Sequence, residues 1–237
     1  MGFEALLRWH HPTRGIQLPG RIAAAFQDHS LASAISDRII DRVLADIVRW
    51  RDLGLPFRHV AVNAAAAELR AGNFAERLLE RLHRADLPSH AVQLEVTETV
   101  FLGRGAEYIE HALKLLSREG VMIALDDFGT GYASLSHLKQ FPVDIIKIDR
   151  SFVRNLHSDP DDGAIVAAVI NLGRSLGIRV VAEGIENEAQ HHTLLALGCD
   201  FGQGFLYGRA QPAAKVVKLL GTPDAVPARR RTQSTQP

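Results

Sequence analysis

Short apolar, β-branched runs alternate with longer amphipathic stretches from one end of this chain to the other. The runs fall at residues 3–8, 59–63, 91–96, 121–126, 144–148, 178–183 and 200–205, and near-continuous apolar strands are what a parallel sheet covered on both faces requires. Between them, residues 33–52, 73–85, 106–118, 161–176, 187–197 and 212–220 space their apolar positions for one face of a helix. Several of these stretches close on Gly54, Gly120, Gly177 or Gly198, where a left-handed cap is expected. The count is about seven β/α units of roughly 30 residues, which predicts a (β/α)8 TIM-like barrel one strand short of closure rather than an open sheet.

A chain of 237 residues, 46% of them hydrophobic, can bury one full core, and no break in composition divides it before Gly221. Residues 1–220 are therefore read as one domain. Residues 221–237 are rich in Pro, Ser, Thr, Gln and Arg and are expected to form a disordered tail, with Arg229-Arg230-Arg231 solvated. With 27 basic and 27 acidic residues the net charge is zero, so nothing favours duplex nucleic acid or an anionic membrane as principal partner. The single cysteine, Cys199, excludes an intramolecular disulfide and a cysteine-cluster zinc site, and suits a reducing compartment. No apolar run approaches the ~18 residues of a membrane span, and Met1-Gly2-Phe3-Glu4 lacks a signal layout, so the expected location is the cytoplasm.

In a barrel of parallel strands the chemistry gathers at the C-terminal strand ends. Here those ends are mostly acidic: Glu4, Leu94-Glu95-Val96-Thr97-Glu98, Leu125-Asp126-Asp127 and Val181-Ala182-Glu183, joined by Val62-Asn63 and by Lys147-Ile148-Asp149. Any one of these residues could simply cap the next helix. Together they aim several carboxylates at one axial pocket, where repulsion is severe unless cations neutralise it. Oxygen donors and an adjacent Asp-Asp pair favour hard ions, Mg²⁺ or Mn²⁺, over zinc. Two such ions about 3.5–4 Å apart would suit in-line displacement at phosphorus.

Other patterns carry less. Asp127-Phe128-Gly129 copies a kinase tripeptide but lacks the accompanying loops, and Gly173-Arg174-Ser175-Leu176-Gly177 falls at a helix end, so Ser175 is read as inert. The adjacent pairs His10-His11 and His191-His192 face different directions and are assigned to the surface or to loops.

At the acidic positions the chain resembles the EAL family of cyclic di-GMP phosphodiesterases. The resemblance is carried by Glu4-Ala5-Leu6-Leu7-Arg8-Trp9 with His11-Pro12, Val62-Asn63, Leu94 to Glu98, Asp126 to Tyr132, Lys147 to Val153, Ala182 to Glu186, and Gly198-Cys199-Asp200 with Gln203-Gly204. It implies hydrolysis of cyclic di-GMP to linear 5′-pGpG. It makes Glu4, Asn63, Glu95 and Asp126 ligands of one metal, Asp126 shared, and Asp127 a ligand of the second. Glu183 and Lys147 become the catalytic pair around the attacking water, and Arg8, Glu186 and Gln203 substrate contacts, the last two holding a guanine edge or ordering the pocket. Glu98 becomes the anchor of the loop from Asp126 to Tyr132, and Asp149 a supporting acceptor. A homodimer is implied as well.

The family usually has a strand before the Glu-Ala-Leu segment, and this chain begins three residues before Glu4, so the barrel is expected to lack its first strand and to be truncated at that end. The family's Phe-Ile-Pro-x-Ala-Glu is also replaced by Ile22 to Gln27, and its Asn-Leu-Ser by Asn63-Ala64-Ala65. The alternative reading is a catalytically impaired cyclic di-GMP receptor or a protein-interaction module, in which missing scaffold loosens the site.

Overall fold

The computed structural model describes residues 1–26, 28–70, 72–101, 105–130 and 135–221. From the amino end, β1 (Phe3–Glu4) leads into an antiparallel hairpin, β2 (Trp9–His11) and β3 (Gly15–Gln17), and then α1 (His29–Asp52). There follow β4 (Val60–Asn63), α2 (Ala66–Leu69), α3 (Phe74–Arg84), β5 (Val92–Thr97), α4 (Ala106–Arg118), β6 (Met122–Phe128), α5 (Leu135–Gln140) and β7 (Ile145–Ile148). The remaining elements are α6 (Arg150–Arg154), α7 (Pro160–Leu176), β8 (Arg179–Ala182), α8 (Glu188–Leu197), β9 (Phe201–Gly202) and α9 (Ala213–Leu220).

Seven strands pair side by side, all parallel, in the order β1-β4-β5-β6-β7-β8-β9. The sheet curls into a half-barrel flanked by helices, a TIM-like barrel lacking one strand, with β1 and β9 at its two edges. β5 shows why the central strands carry so few exposed positions. Val92, Leu94 and Val96 join the apolar core, while the alternate residues Gln93 and Glu95 point to the opposite face and are nonetheless 4% and 1% exposed. Two strand starts are held by a repeated device: Asp144 Oδ2 accepts from Ile123 N, and Asp200 Oδ2 accepts from Val180 N, each at 2.8 Å. Each acid ties the beginning of its own strand to the neighbouring one.

The periodic helices lie where the pattern puts them, and residues 106–118 match α4 end to end. α1 starts earlier than residue 33, because Asp28 caps it by accepting from Leu31 N at 2.9 Å. Gly177 and Gly198 end α7 and α8 in the left-handed conformation. Two strand readings are corrected. The run at 3–8 is strand only over Phe3–Glu4, and the run at 200–205 only over Phe201–Gly202. Both are edge strands, paired on one side, so their apolar continuations Leu6 and Phe205 have no second neighbour to cover them and stand 46% and 54% exposed. The hairpin and the short helices α2, α5 and α6 were not anticipated by the hydrophobic period. Gln27, Gly131, Tyr132 and the tail reading from residue 222 onward lie outside the described residues. Among the described residues no helix is long and apolar enough to cross a membrane.

Candidate active site

Because the strands are parallel, their C-terminal ends gather side chains at one end of the sheet. Asn63 on β4 is in register with Glu95 on β5, and Thr97 on β5 with Asp126 on β6. At the centre is Lys147 of β7, 2% exposed. Its Nζ lies 2.6 Å from Glu183 Oε1, 2.8 Å from Glu95 Oε2, 3.3 Å from Asp126 Oδ1 and 4.0 Å from Glu4 Oε2. The contacts to Glu183 and Glu95 are short enough for charge-assisted hydrogen bonds, and those to Asp126 and Glu4 are longer ion pairs. Glu4 is held from two sides, accepting from Asn63 Nδ2 at 3.1 Å and from Gln203 Nε2 at 2.6 Å.

Burial is the largest influence on Glu95, Glu183 and Lys147. It pushes Glu95 up to about 8, with Glu4 and Asp126 adding to the rise and Lys147 opposing it. It pushes Glu183 up to about 7 in the same way. For Lys147 burial works against the charged form, yet the surrounding carboxylates of Glu95, Glu183, Glu4 and Asp126 outweigh it and hold the ammonium well above its ordinary range.

The adjacent acids Asp126 and Asp127 require a break in strand geometry, because successive side chains of a regular strand face opposite ways. β6 supplies it. The register against β7 runs Leu125 to Ile146 and then Phe128 to Ile148, so one extra residue is accommodated in a bulge. Asp127 takes φ +54°, uncommon for a residue with a side chain, and Asp127 N donates to Asp126 Oδ1 at 3.0 Å. Asp127 is brought close enough to Asp126 and Asp149 that burial, their charge and a hydrogen bond with Asp149 together raise its proton affinity.

Glu4, Glu95, Asp126, Asp127 and Glu183 thus set five carboxylates against the ammonium of Lys147. Among the described residues no three His, Cys, Asp or Glu side chains stand as a ready-made metal cage; the acids close on Lys147 instead. The donor set nevertheless fits hard divalent cations. It is rich in oxygen, carries surplus negative charge, and includes a buried carboxylate oxygen of Glu95 without an aligned donor.

A family model described as the EAL domain matches residues 1–210. The chain belongs to the EAL domain family. It is 41% identical over 218 residues to the bifunctional diguanylate cyclase/cyclic di-GMP phosphodiesterase MucR of Pseudomonas aeruginosa, covering 92% of this chain and 32% of that protein. A second P. aeruginosa protein, named a cyclic di-GMP phosphodiesterase, is 37% identical over 211 residues, covering 89% of this chain and 35% of its own length. The chain therefore spans about a third of these relatives. Among solved structures, the PaMucR phosphodiesterase in its c-di-GMP complex superposes with a TM-score of 0.83 at 41% identity, covering 90% of this chain and 86% of that one. The EAL enzyme Bd1971, in a cAMP- and cyclic-di-GMP-bound form, gives 0.86 at 32% identity, with 92% and 60% covered.

Around the central cluster of this EAL domain the remaining residues divide. Glu98, 4% exposed, accepts from Gly129 N at 2.9 Å and so ties the end of β5 to the turn after β6. Gly129 has φ +98°, and a side chain there would meet the Phe152 ring at 3.0 Å. Asp149 caps α6 through Ser151 N at 2.9 Å and the Ser151 hydroxyl. Gln203 is drawn to Glu4. Arg8 and Glu186 are not brought into the cluster: both are exposed, and the Arg8 guanidinium donates to Leu7 O at 2.8 Å. Ser175 donates to Asn171 O within α7, and His191 Nδ1 meets the Tyr207 hydroxyl at 2.8 Å, both away from the acids.

One residue in the cluster escaped the motif reading. Gln93 donates from Nε2 to Glu95 Oε1 at 3.3 Å. Its signal was present as the alternation Val92-Gln93-Leu94-Glu95-Val96, a polar residue two positions before the acid and on the same strand face.

Proposed function

We propose that this EAL domain hydrolyses cyclic di-GMP to linear 5′-pGpG with two divalent cations, Mg²⁺ or Mn²⁺. The observation that carries the reading is the buried ring of acids around Lys147, supported by the names of the relatives and by the ligand in the PaMucR complex. Glu4, Asn63, Glu95 and Asp126 would hold one ion and Asp126 and Asp127 the other. Bound there, such ions supply Lewis-acid polarisation and make water more acidic. Glu183 is the acid placed to orient the attacking water and take its proton. Lys147, 2.6 Å from it, carries the positive charge that stabilises both the deprotonated nucleophile and the charge developing on the phosphoryl oxygens. Arg8 presents a guanidinium fork suited to a second phosphate contact, and Glu186 lies free to meet a base edge. Gln203 orders the pocket through Glu4. The reading includes a homodimer, tested by sedimentation velocity.

The deciding experiment is a product assay with cyclic di-GMP in Mg²⁺ or Mn²⁺, run on the parent chain and on Glu183→Gln and Glu4→Ala. Turnover in the parent and its loss in both variants is expected; full activity in either variant removes the roles assigned here.

A second reading, a receptor that binds without turnover, is favoured by the position of Glu4 on a two-residue edge strand paired on one side only. Calorimetry in Ca²⁺ beside the product assay separates the two, since binding with no product in Mg²⁺ selects the receptor.

A further inference from the structure

Gln93 lies inside the half-barrel with little to do for the fold. It is 4% exposed, its register neighbours are Ala61 on β4 and Met122 on β6, and neither of those side chains can donate to its amide. Its Oε1 is buried with no aligned hydrogen-bond donor. A hydrophobic residue of the same length would fill this place without leaving a polar atom unpaired. The one side-chain hydrogen bond Gln93 makes among the described residues is the 3.3 Å contact from Nε2 to Glu95 Oε1.

Glu95 has two oxygens and two different surroundings. Oε1 receives Gln93, and Oε2 faces Lys147 Nζ at 2.8 Å without an aligned hydrogen bond. A carboxylate rotates readily about its terminal bond, so something must decide which oxygen is presented. Partners that pin one oxygen of a ligating carboxylate govern how well the other binds.

We propose that Gln93 is a positioning residue for Glu95, fixing Oε1 so that Oε2 is presented to Lys147 and to a divalent cation. The inference rests on the reading of Glu95 as a metal ligand. It assigns to Gln93 a polar atom retained in the barrel interior at the expense of packing, for the sake of cation binding.

The test uses the full chain, with Gln93→Met, similar in length and lacking the donor, and Gln93→Asn, which keeps the amide but withdraws it by one methylene. The Mn²⁺ dissociation constant is measured by calorimetry, the melting temperature without metal by circular dichroism, and the Mn²⁺ concentration giving half-maximal turnover by product assay. Both variants should bind Mn²⁺ about 10–100-fold more weakly. Half-maximal turnover should need correspondingly more Mn²⁺. Metal-free Gln93→Met should melt near the parent, since it removes an unpaired buried acceptor together with the donor to Glu95 Oε1. A residue that merely packs would show the reverse, a lower melting temperature with Mn²⁺ affinity unchanged. Parent-like affinity in both variants overturns this inference alone, and a parent chain that binds no Mn²⁺ overturns the metal reading and this inference with it.

Discussion

Gln203 Nε2 donates to Glu4 Oε2 at 2.6 Å, joining side chains 199 positions apart across the gap between the two edge strands. β1 and β9 share no backbone ladder, so this side-chain bond closes on the acid from the far edge while Asn63 approaches from β4, the strand next to β1. Replacing Gln203 by Leu leaves Glu4 with Asn63 and the 4.0 Å approach of Lys147 Nζ. Turnover of cyclic di-GMP should fall on the order of 10-fold or more, since small misplacements of reacting groups are costly. Steady-state kinetics check this, and an unchanged rate would show that Glu4 needs no support from β9.

Lys147→Met should weaken the fold by about 3–5 kcal/mol in the absence of divalent ions, because removing one member of a buried ionic cluster strands its partners. Mg²⁺ or Mn²⁺ should restore part of that loss by neutralising the same carboxylates. Urea denaturation with and without metal measures both effects. A variant as stable as the parent in chelator would contradict the charge balance drawn here.

Gly204→Ala should be destabilising by about 1–3 kcal/mol, the range for a group forced into filled space. The reason is close approach: an added Cβ would lie 2.2 Å from Ile185 O and 2.3 Å from Ile185 N. Because Ile185 N donates to Gln203 O at 3.0 Å, relief of that clash displaces the residue that holds Glu4. Thermal melts and activity should therefore drop together.

Stability should carry an acid limb traceable to His59. Burial first, and then the positive charges of the amino terminus, Arg58 and Arg179, lower its pKa from 6.5 to about 4 in the folded chain. The unfolded chain thus takes up the proton more readily. The contribution of His59 is present in full above pH 6.5, declines as the pH falls from 6.5 toward 4, and is absent below. Urea titrations of the parent and His59→Gln between pH 7 and about 4 should differ most at neutral pH and converge at the acid end; a constant difference would falsify the assignment.

The period of apolar residues by itself determined the order of the seven parallel strands and the longer helices, because strands buried on both faces and amphipathic helices leave strong local signatures. Leu94 at 0% exposed and the exact match of residues 106–118 are examples. Acids at the ends of apolar runs likewise pointed to acidic side chains gathered at one end of the sheet, since parallel strands must send their ends the same way. Local pattern could not tell that the runs at 3–8 and 200–205 sit on sheet edges, where pairing on one side supports only two residues of strand. Nor could it tell that a bulge turns Asp127 to φ +54° beside Asp126, against the alternation a regular strand imposes. Lys147 as the hub of four carboxylates, Gln93 beneath Glu95 and Gln203 on Glu4 are contacts between residues distant in sequence or chosen among rotamers. Only the curl of the sheet, which sets where strand ends meet, decides them.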